Sequence, residues 1–291
     1  MDSLCRSRLQ QLFLNASLSN RGAEELQDEY NKILLDSPYR ETIWGTSSHE
    51  AMIKDEKCVV ALKNLTLNRF SNILPFDSHL VGCSRGYLNC SRVTPLDRSY
   101  LIAQGPLPST IETFWFTILE QEIDLIVNIA PFGQECADYV SQSPDVSVQV
   151  LSDKQLGCIQ VRRLLVDGRR EVTHVQFDHW PNYSVPQDPL YLASVCKYVD
   201  SIKKSHPDIL VNCSGGVGRS GTLVCILAVW DQLQQDCSKH IDSTDDSFRD
   251  RVIGLVKSAV ETVRTQRHPW LVEGVGQYSL IFQVLDTMSR V

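Results

Sequence analysis

Residues 209–230 read ILVNCSGGVGRSGTLVCILAVW: an apolar run, a glycine-rich loop and a second apolar run. The first run predicts a short buried strand, and the second predicts a buried helix. Cys213 and Arg219 lie at the two ends of the loop, with five residues between them. A loop of this length can fold into a nest whose backbone N–H groups point inward beside a helix N-terminus, an arrangement that binds tetrahedral oxyanions.

The chemistry of this loop fits an attack by sulfur on a phosphoryl group. The positive field of a nest lowers the pKa of a thiol, so Cys213 is predicted to be a thiolate nucleophile. Arg219 offers a fork of N–H donors that matches two phosphoryl oxygens. The alternative is a glycine turn after a buried and inert cysteine. The other loop residues predicted to bind the substrate are Ser214, Gly215, Gly216, Val217 and Gly218.

Composition and charge are those of a globular protein with a sizeable core. Of 291 residues, 43% are hydrophobic and 22% are charged, and no apolar run reaches the roughly 20 residues of a membrane span. The net charge of -7 argues against a nucleic-acid partner. Residues 1–20 lack the apolar stretch of a signal peptide and the ten cysteines form no C-x-x-C pair, so we expect a cytoplasmic protein with reduced thiols. The seven histidines show no ligand spacing, and we expect no metal or other cofactor.

Periodicity predicts strands and helices that do not alternate strictly. Strands are predicted at residues 87–90, 100–102, 125–129, 146–150, 158–166 and 171–177. Helices are predicted at residues 21–35, 110–121, 189–204, 219–234, 247–267 and 274–288, and a surface loop at 44–57. This mixture indicates an α/β (α+β) fold, a twisted mixed β-sheet flanked by helices on both faces. Residues 21–291 are expected to form one domain, and residues 1–20 a poorly anchored arm or a short extra helix.

The loop at residues 213–219 resembles the signature loop of the cysteine-dependent protein tyrosine phosphatases. The segments YLNCS (87–91) and QGPLPST (104–110), the second followed by Phe114 and Trp115, resemble structural signatures of the tyrosine-specific branch. In that family these segments support the active-site loop. The resemblance extends over about residues 26–285 and implies a tyrosine-phosphatase-like fold.

Residues 68–77 (NRFSNILPFD) resemble the loop that recognises the substrate in this family. Where this chain has Phe70, the family usually has Tyr, whose ring stacks on phosphotyrosine in a cleft too deep for phosphoserine. Phe70 retains the stacking and lacks the hydroxyl. Asn72 aligns with the residue that holds the substrate backbone. The resemblance therefore implies phosphotyrosine-containing proteins as substrates and partners.

Residues 177–186 (FDHWPNYSVP) resemble the mobile loop that closes over the substrate, with one departure. The family has Asp after Trp-Pro, and this Asp is the general acid that protonates the departing tyrosyl oxygen. This chain has Asn182, and an amide cannot give up a proton at neutral pH. The loss of a positioned acid typically costs about 10²–10⁴ in rate. Either the activity is impaired or another acid, Asp178 or Asp188, replaces the missing one.

Three more departures from the family lie around the loop. Asn212 stands where the family usually has His, and we expect it to bridge backbone groups and leave a weaker nucleophile. Glu135 stands where a Lys usually neighbours the loop acid. Glu273 falls on the first glutamine of the segment that positions the hydrolytic water, where a carboxylate would repel substrate or activate the water. Ser220, which eases breakdown of the cysteinyl-phosphate, and Gln277, the second glutamine, are retained.

The resemblance thus implies a protein tyrosine phosphatase, a hydrolase of signalling pathways that works through a phosphocysteine intermediate. We expect reduced activity because of Asn182. The alternative is a catalytically impaired pseudophosphatase that binds phosphotyrosine proteins. A phosphoinositide phosphatase is disfavoured, because the loop interior holds no Lys and no second Arg. The residues implied in catalysis are Cys213, Arg219, Ser220, Gln277 and, at the general-acid position, Asn182.

Overall fold

One mixed β-sheet organises the chain, whose computed structural model describes residues 3–36, 57–143, 145–203, 208–239 and 245–290. In these residues the strands are β1 (Cys90–Val93), β2 (Tyr100–Ala103), β3 (Leu125–Asn128), β4 (Val148–Leu156), β5 (Ile159–Val166), β6 (Arg170–Gln176) and β7 (Ile209–Asn212). Their order in the sheet is β1-β2-β7-β3-β6-β5-β4. The central strands β2, β7, β3 and β6 run parallel, whereas β1, β5 and β4 pair antiparallel with their neighbours.

The same described residues contain eight α-helices. Asp188 begins one of them as an N-cap, because its carboxylate accepts a hydrogen bond from the Leu190 N–H at 2.8 Å, and Pro189 fits the first helical position. The helices are α1 (Ser3–Ala16), α2 (Ala23–Leu35), α3 (Val59–Lys63), α4 (Ile111–Glu120), α5 (Pro189–Ile202), α6 (Gly218–Ser238), α7 (Asp245–Gln266) and α8 (Gly274–Arg290).

Successive side chains along the central strands point to opposite faces of the sheet, so the hydrophobic core is divided into a cluster on each face. Leu125 and Val127 of β3 belong to the larger hydrophobic cluster, together with apolar side chains of α1, α2, α5, α6, α7 and α8. Ile126 belongs to the cluster on the opposite face, which contains the apolar side chains of α4. The predicted mixed sheet with helices on both faces is confirmed.

Strand β1 begins three residues later than the sequence predicts. The run at residues 87–90 is buried, but two of its side chains bind another loop rather than filling a sheet face. The Tyr87 hydroxyl and the Asn89 amide both donate hydrogen bonds to Asn68 Oδ1, at 2.6 and 2.8 Å. Ladder pairing with β2 therefore starts only at Cys90, opposite Ala103.

Strand β4 extends well beyond the predicted residues 146–150. Its second half is polar and exposed, and it continues as a strand because it pairs with β5 as far as Leu156 opposite Ile159. Gly157, with a φ of 59°, supplies the left-handed residue of the connecting turn. Backbone pairing with a neighbour, rather than apolar patterning, therefore forms this part of the strand.

The N-terminal residues form a helix, the second of the two predicted alternatives. Phe13 of α1 is fully buried, and its ring lies 5.2 Å from Phe248 and 6.5 Å from Trp230. Helix α2 buries Leu26, Tyr30 and Ile33, which lie three or four positions apart and therefore share one face of the helix. The domain boundary at residue 20 stays a prediction. The surface loop predicted at residues 44–57 lies outside the described residues except for its last position.

Candidate active site

The glycine-rich loop lies where three parallel strands end side by side. Ala103 of β2 and Asn128 of β3 both pair in register with Asn212, the last residue of β7. The loop turns back through Gly216, whose φ is 69°, and then enters α6. A Cβ on Gly216 would lie 2.5 Å from the Ala103 carbonyl oxygen, so only glycine fits there. The carboxyl edge of a parallel sheet is where such folds bind ligands.

Cys213 is buried and receives hydrogen bonds suited to a thiolate. Its Sγ accepts a bond from the Gly216 N–H at 3.2 Å and one from the Ser220 hydroxyl at 2.9 Å. Burial by itself would raise the pKa of this thiol, but the charge of Arg219 and the hydrogen bonds outweigh it and leave the pKa below its ordinary value. By contrast, burial raises the pKa of Cys58, Cys90 and Cys225 to about 12.

The shape of the loop depends on a second arginine that the sequence reasoning did not identify. Arg267 is buried, and its Nε donates to the Gly216 carbonyl at 2.7 Å. Its Nη1 and Nη2 donate to Ser91 Oγ and Asn89 Oδ1, at 3.1 and 2.9 Å. The YLNCS segment therefore supports the active-site loop through this guanidinium. In the sequence Arg267 is only the last residue of the helix predicted at residues 247–267, which gave no signal of this role.

The predicted recognition loop forms one wall of the pocket. Phe70 and Asn72 both line it, and the Phe70 ring would lie 3.4 Å from a Cβ on Gly215. Arg69 fastens the loop to the second signature segment by donating to the Gly105 and Pro106 carbonyls, at 3.1 and 2.7 Å. The two family signatures and the recognition loop thus form one hydrogen-bonded unit.

The loop at residues 177–186 lies over the pocket and is bound to Arg219. The Trp180 carbonyl accepts a hydrogen bond from Arg219 Nη1 at 3.0 Å, and Asn182 Oδ1 accepts one from Nη2 at 3.2 Å. The Trp180 ring is buried, and its N–H donates to the Ser184 carbonyl at 2.8 Å. Tyr183, with a φ of 57°, is 74% exposed at the mouth of the pocket.

Neither of the two predicted substitute acids lines the pocket. Asp178 is exposed and lies 2.9 Å from His179 Nδ1. Asp188 caps α5, as described above. The carboxyl that does line the pocket is that of Glu273. Partial desolvation raises the pKa of Glu273, although the charge of Arg219 acts in the opposite direction.

Glu135 reaches the site from the opposite side and forms an ion pair with Arg219. Its Oε2 accepts a hydrogen bond from Arg219 Nη2. The Arg219 side chain is 2% exposed and that of Glu135 is 25% exposed. Where the resemblance implies a lysine, this chain therefore has an anion that pairs with Arg219.

The segment that carries Glu273 is held in place by α2. The Tyr30 hydroxyl donates to the Val272 carbonyl at 3.1 Å and accepts from the Gly274 N–H at 2.8 Å, so it clamps the backbone on both sides of Glu273. Gln277 Oε1 accepts from the Glu273 N–H at 2.8 Å and from the Thr222 hydroxyl at 3.2 Å. Glu273 and Gln277 thus lie beside the first turn of α6.

Asn212 does not bridge backbone groups as expected. Its amide donates to Asn128 Oδ1 at 2.9 Å, and its Oδ1 accepts from the Tyr139 hydroxyl at 3.4 Å. These partners are side chains beneath the loop, because the residue points from the end of β7 toward the neighbouring strand. Asn212 therefore belongs to the support of the loop and not to its phosphate-facing surface.

Most predicted site residues come together in one pocket. Ser220 and Gly216 contact the sulfur from behind, and the Ser214 carbonyl accepts a hydrogen bond from the Gly105 N–H at 2.8 Å. Three lining residues were missed, Ile73, Tyr183 and Trp270, each of them apolar or aromatic. Ile73 and Tyr183 lie inside the quoted segments 68–77 and 177–186, and Trp270 lies three residues before Glu273. The predicted residues that line the pocket are Phe70, Asn72, Asn182, Cys213, Gly215, Val217, Gly218, Arg219, Glu273 and Gln277.

The described residues hold no group of three or more His, Cys, Asp or Glu side chains arranged for a metal ion. Across the described part of the chain, no helix combines the length and apolarity needed to cross a bilayer.

Comparisons with known proteins indicate one family. Residues 64–287 match the family model for protein-tyrosine phosphatases. Tyrosine-protein phosphatase non-receptor type 13 of Mus musculus is 29% identical over 255 residues, which cover 79% of this chain and 10% of the relative. Receptor-type tyrosine-protein phosphatase C of Homo sapiens is 32% identical over 201 residues, which cover 60% of this chain and 15% of the relative.

A solved structure supports the fold independently. The crystal structure of the Trypanosoma brucei protein tyrosine phosphatase TbPTP1 matches with a TM-score of 0.72 at 21% identity, covering 92% of both chains. The curated relatives are mostly longer proteins: the chain spans about a tenth of the type 13 protein and 53% of the type 20 protein of Rattus norvegicus.

Proposed function

The chain belongs to the protein-tyrosine phosphatase family, and we propose that it hydrolyses phosphotyrosine through a cysteinyl-phosphate intermediate, at a reduced rate. The observation that carries this proposal is the state of Cys213. Its sulfur accepts two hydrogen bonds, its pKa is lowered, and it lies in an oxyanion-binding loop beside Arg219. This combination supports a thiolate poised to attack phosphorus.

In the first chemical step, the Cys213 sulfur forms a bond to phosphorus and the bond from phosphorus to the tyrosyl oxygen breaks. The backbone N–H groups of the loop and the Arg219 guanidinium stabilise the equatorial oxygens. The departing phenolate, whose conjugate acid has a pKa near 10, needs a proton. Asn182 lies at the position from which the family supplies it, and its amide is too weakly acidic to release a proton, so the phenolate leaves as an anion and takes its proton from water.

In the second step, water attacks phosphorus, the bond from phosphorus to sulfur breaks, and inorganic phosphate leaves. The Ser220 hydroxyl stabilises the returning thiolate through its 2.9 Å hydrogen bond. Gln277 and Glu273 line the same pocket and are the candidates to orient that water. Glu273 either repels the phosphoryl group as a carboxylate or accepts a proton from the water.

The reduced rate rests on Asn182. The loss of a positioned general acid costs about 10²–10⁴ in rate, and the penalty is largest for a poor leaving group such as a tyrosyl oxygen. Neither Asp178 nor Asp188 lines the pocket, so neither supports a compensating role. The activity is therefore expected to be higher toward aryl esters with acidic leaving groups, such as nitrophenyl phosphate.

The proposed substrates are phosphotyrosine-containing proteins in the cytoplasm. Phe70 forms one wall of the pocket where an aromatic ring would stack on the substrate ring. The exposed Tyr183 adds a second aromatic side chain at the mouth. These walls favour a long aromatic phosphoester over the short side chain of phosphoserine.

The test is a phosphate-release assay with nitrophenyl phosphate and a phosphotyrosine peptide, in which Cys213→Ser serves as the blank. Release that depends on Cys213 and is faster with the nitrophenyl ester is the expected result. Release that is equal in the wild type and in Cys213→Ser would overturn the proposal.

A second candidate function is phosphotyrosine binding without useful turnover, and the same Asn182 supports it. A pocket that retains its nucleophile and loop but lacks its acid should hold a phosphopeptide for longer than an active enzyme does. Binding of an intact phosphopeptide by the wild-type protein over hours, without phosphate release, would favour this function over hydrolysis.

A further inference from the structure

The hydrogen bonds of Arg219 leave little room for a phosphoryl group. A guanidinium can bind two oxygens of an anion along either of two edges, Nη1 with Nη2 or Nε with Nη2. Both edges use Nη2, which carries two hydrogens. In this structure Nη2 donates to the carboxylate of Glu135 and to the amide oxygen of Asn182. A phosphoryl group that binds Arg219 through two oxygens must therefore displace one of them.

Glu135 is the stronger of the two competitors. Its bond to Arg219 joins opposite full charges, whereas the Asn182 oxygen carries only a partial charge. Asn182 also belongs to the loop that closes over the substrate, and Glu135 does not. The occupied Nη2 is thus mainly a consequence of the carboxylate at position 135.

The backbone at Glu135 is held firmly, so the competition involves its side chain alone. A Cβ on Gly105 would lie 2.7 Å from the Glu135 carbonyl oxygen and 2.6 Å from that of Cys213, which shows how closely these three segments pack. The Gly133 N–H also donates to the Cys136 carbonyl at 2.8 Å. Because the Glu135 side chain is 25% exposed, its carboxylate can rotate into water.

We propose that Glu135 is an affinity-determining residue that competes with the phosphoryl group for Arg219, so that an ester binds more tightly once the Glu135 carboxylate has left Nη2. The proposal rests on the proposed function, because it concerns the same pocket. The family usually has a lysine at this position, and a lysine would attract the phosphate. Glu135 is proposed to have the opposite effect. The protein is expected to bind phosphate and its analogues weakly for a pocket of this architecture.

The test is calorimetric binding of tungstate, a tetrahedral dianion, to the full chain and to four variants. Glu135→Gln removes the charge and Glu135→Ala removes the side chain. Glu171→Gln is the matched remote control, because Glu171 also pairs with an arginine, Arg163, on the exposed face of a strand. Glu273→Gln removes a carboxylate from the pocket wall without releasing Nη2.

We expect the dissociation constant for tungstate to fall by about tenfold in Glu135→Gln and in Glu135→Ala, since a partly buried ion pair no longer has to be broken. Glu171→Gln should stay within twofold of the wild type, and Glu273→Gln should improve less than either Glu135 variant. Thermal unfolding of every variant establishes that it is folded.

Two results would overturn the inference. One is a tungstate affinity in both Glu135 variants that equals that of the wild type. The other is a gain in tungstate affinity in Glu273→Gln as large as that in the Glu135 variants, which would indicate that any carboxylate near the pocket has the same effect. The Cys213-dependent phosphate release tests the proposed function separately. Normal release with unchanged tungstate affinity refutes only the role of Glu135. An absence of both release and tungstate binding in all the proteins refutes both proposals.

Discussion

Replacement of Asn182 by Asp tests the missing acid most directly. The Asn182 oxygen lies 3.2 Å from Arg219 Nη2, and a carboxyl of nearly the same shape would lie at the same place. Arg219 would lower the pKa of the new carboxyl, whereas the dianionic phosphoryl group bound beside it would raise that pKa, because like charges that share a site cannot both ionise easily. The two effects oppose each other, so only a small fraction of the variant carries the protonated acid at neutral pH.

The expected gain in turnover lies at the lower end of the range that a general acid contributes, because the charge of Arg219 favours the ionised form of the new carboxyl. We expect turnover of a phosphotyrosine peptide to rise by about 10²-fold in Asn182→Asp, which corresponds to about 2.7 kcal/mol of transition-state stabilisation. Turnover of nitrophenyl phosphate should rise by less than about tenfold, since its leaving group is already stable as an anion.

The assay is steady-state phosphate release with both substrates. Asn182→Ala is the matched control, because it removes the amide without adding an acid, and it should turn over the peptide no faster than the wild type does. A gain below about threefold on the peptide, or equal gains on the two substrates, would refute the reasoning, since proton donation acts chiefly on the poorer leaving group.

Three further predictions concern the nucleophile, the core and acid stability. Ser220→Ala removes the 2.9 Å hydrogen bond to the Cys213 sulfur and should slow alkylation of Cys213 by iodoacetamide at pH 6 by about tenfold. The rate is measured by mass spectrometry of the labelled peptide, and an unchanged rate would contradict the prediction. Phe13→Ala should lower the free energy of unfolding, measured in urea, by about 3–5 kcal/mol, because Phe13 is fully buried. Leu14→Ala, at an exposed neighbouring position, should leave it nearly unchanged. Equal losses of stability in the two variants would mean that α1 does not pack on the core as described. Burial, and to a lesser extent the charge of Arg162, lower the pKa of His174 from 6.5 to about 3. Between pH 6.5 and pH 3 the unfolded state therefore binds more protons than the folded state, so the free energy of unfolding should fall as the pH decreases through this range. His174→Gln should make that decline shallower in urea titrations at pH 7 and pH 5, and an equal decline would contradict the assignment.

The part of the site built from contiguous sequence could be predicted, and the part built from distant contacts could not. The run from Ile209 to Arg219 contains its strand, its turn and its helix start, so the nucleophile and its loop follow from local rules. Phe70 and Asn72 could be placed only through the resemblance to a family. The ion pair of Glu135 with Arg219 joins residues 84 positions apart, and the sequence indicates only that a charge has changed sign.

The boundaries of the elements show the same limit. The apolar run at residues 87–90 satisfies every local criterion for a strand, yet Tyr87 and Asn89 bind Asn68 and the ladder begins at Cys90. The polar half of β4 is a strand only because β5 lies beside it. Arg267 looked like the end of a helix, and its role under the active-site loop depends on the position of Ser91 and Asn89 in another part of the fold.

The hydroxyl of Tyr30 has a consequence for any shortened version of the protein. Helix α2 lies ahead of residues 64–287, the part of the chain that matches the family model. A fragment cut to that match would keep every residue that lines the pocket, but it would lose the Tyr30 hydroxyl that binds the backbone on either side of Glu273. The unit that must fold together is therefore longer than the part that the family model matches.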